Sequence, residues 1–329
     1  MLTGNLGPIG IQLAPVGTVT GIIEYIIIIF VFIATFDYIF GWFERKTIAK
    51  AQFRHGPTYV GKFGILQNLA DIVKLVAKEN ITPNSADRLL FSTAMPLLLA
   101  LFIFLVFLIP FSPNYGISIS VGLLAIFVML SFAPLIVFVS GVSSGNKFAG
   151  ISAQRSIIMM LSYEMPLIVV IASVALFAGS FNLGNIVNLQ SNAPFIILMP
   201  IGFLVFFIAM LAELERPPFD LREADSELIA GWLTDFGSPY YAIALFVDYT
   251  RMFLGSLLIS LLFLGGWLGP VLPPVVWLLA KSFFVAFVIV LVRATTVRMR
   301  LDRLLRFGWF WLLPLALVNI ILTFLLFVR

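Results

Sequence analysis

The sequence predicts an all-α polytopic membrane protein, with about eight transmembrane helices and an amphipathic surface helix. Three observations carry this. The 329 residues are 61% hydrophobic and only 11% charged, against roughly half apolar and about 25% charged in a soluble domain. Apolar runs long enough to cross a bilayer recur along the whole chain. Every basic residue except Arg251, Lys281 and Arg329 falls in alternate loops, which the positive-inside rule places in the cytoplasm.

The runs lie near 19–41, 90–110, 118–140, 156–178, 195–213, 239–264, 271–292 and 308–327. The loop after the first holds eight basic residues, from Arg45 to Arg88. The loop after the third holds Lys147 and Arg155, the loop after the fifth Arg216 and Arg222, and the loop after the seventh Arg293 to Arg306. The opposite loops carry none. This predicts a multi-pass protein of the cell membrane with large cytoplasmic loops and both termini outside. The chain reads as one membrane domain, 1–329, with a cytoplasmic segment at 44–88 and an acidic cytoplasmic loop at 213–238. No basic residue precedes Arg45, so the start lacks the charged region of a secretion signal.

Several function classes drop out. There is no cysteine, which removes disulfides and iron–sulfur ligation by this chain. The single histidine, His55, rules out a histidine-rich metal site. The basic residues sit beside spans rather than in a nucleic-acid patch. GVSSGNK (141–147) lacks the four-residue spacer and final hydroxyl of a phosphate loop. No inverted halves of a secondary transporter are evident.

Within 44–88, Gly56, Pro57, Gly61 and Gly64 signal tight turns. LQNLADIVKLVAKEN then follows a helical period, with Leu66, Leu69, Ala70, Val73, Val76 and Ala77 on one stripe and Asp71, Lys74 and Lys78 on another. This predicts a helix lying along the membrane surface. Its charges form either a solvated face or, for Asp71 and Lys74, a face toward a cavity or partner.

The charges inside the spans point to function. Glu164 lies eight residues into its span, roughly 12 Å deep, and Asp248 sits at similar depth. Asp37 lies in the lower part of the first span, and Glu213 closes the fifth. Carboxylates at such depth face a bundle interior or water. Asp248 has Arg251 three residues on as a structural partner, whereas Glu164 has no basic neighbour in sequence nearer than Arg155. Seven of the 16 acidic residues crowd into 213–235: Glu213, Glu215, Asp220, Glu223, Asp225, Glu227 and Asp235. Pro217 and Pro218 end the fifth span there. Glu223 and Glu227, four apart, would repel on one helix face. The loop is either a solvated surface or a carboxylate-lined funnel leading to Glu164 and Asp248.

Five strings together resemble the H-type membrane heel subunit of respiratory complex I: ERKTIAKAQFRHGPTYVGKFGILQNLADIVKLVAKENITPNSADRLLF, SSGNKFAG, RSIIMMLSYEMP, ELERPPFDLREADSELIAGW and RATTVRMRLDRLLRFGWFWLLPLALVN. The resemblance spans about 24–325. It implies eight spans, and partners in the hydrophilic-arm subunits that carry the terminal iron–sulfur cluster and the substrate cavity. It also implies small membrane subunits, antiporter-like pump subunits and membrane lipid as neighbours, and no nucleic acid. No cofactor would bind this chain alone, and quinone would lie at the interface. The quinone chamber or arm interface would involve Glu44, Arg45, Lys46, Asp71, Lys74, Arg216, Glu223, Asp225 and Glu227. A proton channel would involve Glu164, Glu213 and Asp248, with Asp235 near its mouth, and this chain would carry no catalytic or metal-binding residue. Quinone-reducing relatives have Asn at Glu215, Gln at Met159, Glu at Asp235 and Asp248, and Pro at Val297. The resemblance therefore admits two assemblies, a quinone-reducing pump or a ferredoxin-linked hydrogenase or sulfur-reducing complex. A stand-alone transporter and a plain structural anchor are the remaining alternatives.

Overall fold

The computed structural model describes residues 12–13, 19–113, 117–222 and 225–327. Helix α1 (Val19–Ala51) is followed by α2 (Gln67–Val76), α3 (Arg88–Leu108), α4 (Gly122–Leu130), α5 (Phe132–Ser143) and α6 (Lys147–Ala178). Short α7 (Leu183–Leu189) and α8 (Phe195–Leu198) lead to α9 (Pro200–Glu213) and α10 (Asp225–Leu228). Then come α11 (Ser238–Phe263), α12 (Pro274–Thr295), α13 (Leu301–Phe307) and α14 (Leu313–Phe327), the last two joined by a π turn, Gly308–Leu312. A two-residue antiparallel ladder, β1 (Gln12–Leu13) on β2 (Ile117–Ser118), pairs Gln12 with Ser118.

Six stretches among the described residues are long and apolar enough to cross a membrane: α3, Gly122–Ser143, α6, α11, α12 and Leu301–Leu325. Two of the eight expected spans differ. Helix α1 runs 33 residues, about 50 Å, so its last turns extend beyond a hydrocarbon core of about 30 Å. Helix α9 has only 14 residues, about 21 Å. Pro200 starts it, and the non-helical backbone of Met199 (φ −132°, ψ 62°) separates it from α8. The run 195–213 looks continuous in hydropathy, but a proline without an N–H cannot carry a helix through.

Local chemistry sets the helix ends. Asp87 caps α3 by accepting from the backbone N–H of Leu89 at 3.1 Å. Asn146 caps α6 by accepting from Phe148 N–H at 3.0 Å. Gly145 (φ 70°) makes the turn before that cap, so the glycine-rich string at 141–147 is a helix–helix junction. The third span breaks at Ser131, where Pro134 has no N–H for the carbonyl of Leu130. Gly179, left-handed at φ 63°, closes α6.

Helices α6 and α11 form the centre. Helix α6 packs on α5, α9 and α14, while α11 packs on α1, α3 and α12. Nearly every residue of α11 from Thr250 to Phe263 is buried. A phenylalanine seam joins α1, α11 and α12: Phe36 meets Phe253 at 4.7 Å between ring centres and Phe40 meets Phe283 at 5.4 Å. Lys281 of α12 donates to the carbonyl of Leu264, the residue that caps the end of α11, at 2.7 Å, and to that of Leu268 in the following loop at 2.8 Å.

Candidate functional site

The end of α1, the turns at 52–59 and the end of α12 enclose a cleft of about 910 Å³, lined by Glu44, Arg45, His55, Tyr59, Tyr249 and Arg293 among others. Phe53 and Tyr59 on its rim are fully exposed. Glu44 is buried in the wall, and its Oε1 takes Arg216 at 3.2 Å and also Arg293. Arg216 lies over the ring of Tyr249. Beside the cleft, Arg45 meets Asp71 at 2.6 Å, and Gln67 donates to the other oxygen of Asp71 at 2.9 Å. Asp71 therefore faces the body of the protein. Lys74 is exposed. Lys46 is half-buried, with its stem against Gly56. The apolar stripe of α2 stays uncovered, with Leu69, Val73 and Val76 each more than half exposed, as a membrane-surface helix requires.

The acidic loop is folded by ion pairs rather than open as a funnel. Glu215 takes φ 53°, in the left-handed region that Asn enters more readily than Glu. This turns its carboxylate inward, where Oε2 pairs with Arg222 and with Arg251 at 3.2 Å. Arg222 is buried against the ring of Trp232 at 4.7 Å. Its carbonyl accepts from Ser152 at 2.6 Å and leaves no room for a Cβ on Gly231. Asp220 pairs with Arg298 at 3.1 Å. Glu227 is exposed and pairs with Arg155 at 2.7 Å. Glu223 lies outside the described residues, as does the side chain of Asp225.

Glu164 and Asp235 have neutral partners. Glu164 accepts from the hydroxyl of Ser131, the residue at the break between α4 and α5. Both line an apolar groove of about 410 Å³ whose walls include Phe127, Phe132 and Ile168. Pro166 has no N–H for the carbonyl of Ser162, and that carbonyl abuts Gly308 at the π turn. Glu213 is buried near the Tyr163 phenol and the Arg251 guanidinium, and its Oε1 has no hydrogen-bond partner. Asp235 accepts from Asn146 at 3.3 Å, and its other oxygen has no partner.

The structure corrects one sequence expectation here. Arg251 does not pair with Asp248. It meets Glu215 and also donates to the backbone carbonyl of Glu213, because α11 turns residue 251 toward the acidic loop. Asp248 stays half-buried with no ion pair among the described residues. Arg155 serves Glu227 and not Glu164. Sequence reasoning missed Tyr163, Ser131 and Arg293 as partners. The adjacency of Tyr163 to Glu164 was a visible signal for the first, and no local pattern marked the other two.

The fold and this arrangement define a polytopic membrane protein whose interior holds ionisable groups behind a cleft, the usual mark of a path for charge. A family model described as NADH dehydrogenase matches residues 23–324. The chain is 40% identical over 304 residues to the H-type subunit of NADH-quinone oxidoreductase from Dehalococcoides mccartyi strain CBDB1, covering 92% of this chain and 86% of that protein. It is 41% identical over 292 residues to an H-type subunit of the same enzyme from Syntrophobacter fumaroxidans, covering 86% and 88%. It is also 41% identical over 287 residues to the H-type subunit from Bacillus cereus strain AH187, covering 85% and 86%. The chain belongs to this family.

Proposed function

We propose that the chain is the membrane subunit of a complex I-type pump that couples electron transfer to ion translocation. The observation that carries this is the division among its carboxyls. Glu44, Asp71, Glu215, Asp220 and Glu227 pair with arginines on the side of the cleft and the acidic loop. Glu164 bonds instead to Ser131 and Asp235 to Asn146, while Glu213 lies near both the Tyr163 phenol and the Arg251 guanidinium. An arginine holds a carboxylate charged. A hydroxyl, such as that of Ser131, donates to a carboxylate and accepts from a carboxylic acid, so it tolerates both states, whereas the Asn146 amide N–H only donates. The paired set fixes the cleft, and Glu164, held by a hydroxyl, is able to gain and lose a proton.

The cleft would contribute to a quinone chamber. Its volume is within the usual range for small-molecule sites, and Tyr249, His55 and Tyr59 offer polar atoms among apolar surface. Quinone would be the substrate there, and the relatives' names support that choice. The exposed rim at Phe53 and Tyr59 would receive the hydrophilic-arm protein that carries the last iron–sulfur cluster. Pump subunits would pack against the groove at Glu164. The basic loops would face the cytoplasm, with both termini outside.

The test uses the purified complex in vesicles. Quinone reduction blocked by a chamber inhibitor, together with ion uptake that Glu164→Gln abolishes, is expected. Ferredoxin-driven hydrogen or sulfide production without quinone turnover would replace the quinone reading. Unchanged ion uptake in Glu164→Gln would refute the coupling role.

A further inference from the structure

The hydroxyl of Thr250, on α11, has one proton and two acceptors. Its Oγ1 lies 2.9 Å from the carbonyl oxygen of Phe246, one turn back, and 2.6 Å from Oδ2 of Asp37 on α1. A hydroxyl donates once. Both bonds form together only when a second proton sits on Asp37, whose O–H then donates to Thr250 while Thr250 donates to Phe246. The other oxygen of Asp37 is buried and has no hydrogen-bond partner.

Asp37 is 4% exposed and makes no ion pair among the described residues. Glu44 and Glu215 are also buried, yet each meets two arginines. Uncompensated charge at such burial is costly, so Asp37 needs either a proton or a purpose for its charge. The same arrangement recurs at Ser131. There the hydroxyl lies 3.1 Å from the carbonyl of Phe127, one turn back, and is bonded to Glu164. Two sites on different helices thus share one design: a hydroxyl tied to its own helix and presented to a carboxyl on another.

The position of Asp37 gives the pair a use. It lies seven residues before Glu44 on α1, two turns and roughly 10 Å along the same face. Thr250 follows Tyr249, whose ring lines the cleft, and precedes Arg251, which binds Glu215. The pair therefore stands behind the cleft wall.

We propose that Asp37, with Thr250 as its hydrogen-bond partner, is a proton-holding station between the cleft and the inner carboxyls. The Asp37 O–H bond forms in one state of the complex and breaks in another. The proton passes to water or a neighbouring carboxylate, and no electrons move. This rests on the coupling role proposed above.

The test is infrared redox-difference spectroscopy on the intact purified complex, in the carbonyl region of protonated carboxyls. Asp37→Asn keeps the shape of the side chain and should lose one component that shifts in heavy water. Thr250→Val keeps the volume and should displace that same component. Glu164→Gln should remove a different one. If Asp37→Asn retains every component while Glu164→Gln loses its own, the inference is overturned and the coupling role stands. If neither variant changes the spectrum, both are overturned. If Asp37→Asn fails to assemble, the response of Thr250→Val decides: an undisplaced spectrum overturns the pairing.

Discussion

Glu215→Asn removes the carboxylate that two buried guanidinium groups share. Arg222 is 2% exposed and Arg251 3% exposed, so neither can turn to water. Breaking a buried pair by removing one partner costs about 3–5 kcal/mol. Relief at the backbone offsets part of this. Glu215 sits at φ 53°, and a side chain that tolerates the left-handed region returns roughly 1 kcal/mol. Glu213 and Asp248 also act on Arg251 electrostatically and recover a little more. The net loss is about 2–4 kcal/mol. The assay is hydrogen exchange by mass spectrometry on the intact complex, following the amides of 214–236. At 1.4 kcal/mol per factor of ten, these should exchange roughly 30- to 1000-fold faster. A triple variant, Glu215→Asn with Arg222→Met and Arg251→Met, removes all three charges together. It should return to within about tenfold of the parent, since replacing a whole buried ion cluster with apolar groups is close to neutral. Parent-like exchange in the single variant, or a triple variant worse than the single, refutes the reasoning.

Three further outcomes are expected. Arg216→Met should lower the melting temperature of the complex more than Arg293→Met, because their side chains are 9% and 33% exposed against the same Glu44. The losses should be about 2–3 kcal/mol and under about 1 kcal/mol, since water replaces the exposed partner. Gly231→Ala forces a Cβ into the carbonyl of Arg222 at φ 59°, so native gels should show depleted assembled complex, consistent with a loss of about 1–3 kcal/mol. Ser131→Ala deprives Glu164 of its hydroxyl donor. Ion uptake at constant electron flow should fall about tenfold, the scale of one hydrogen bond to a charged group.

Much of the fold was legible because hydropathy and helix-end signals are local. Asp87, Asn146 and Gly179 sit where capping chemistry places them. The helix at Gln67–Val76 appears where the 3.6-residue period put it. The site was legible only as an inventory. Glu164 and Glu213 stood out by depth, but the groups that meet them come from other parts of the chain. Asp248 and Arg251 suggested a pair by spacing, and the structure gives that arginine to Glu215. Spacing along a helix proposes neighbours, and a backbone turn elsewhere can supply a nearer one.

The sequence by itself determined that this chain lives in a membrane, which loops carry the positive charge, and which carboxyls lie within the spans. Each follows from the transfer energies of residues near one another in the chain. Tertiary structure decided which carboxyls meet arginines and which meet hydroxyl or amide groups. Glu44 meets Arg216 and Arg293 across 172 and 249 residues of chain, and Asp37 meets Thr250 across 213. Contacts at such separation depend on how the helices rotate and pack, and packing is a property of the whole bundle.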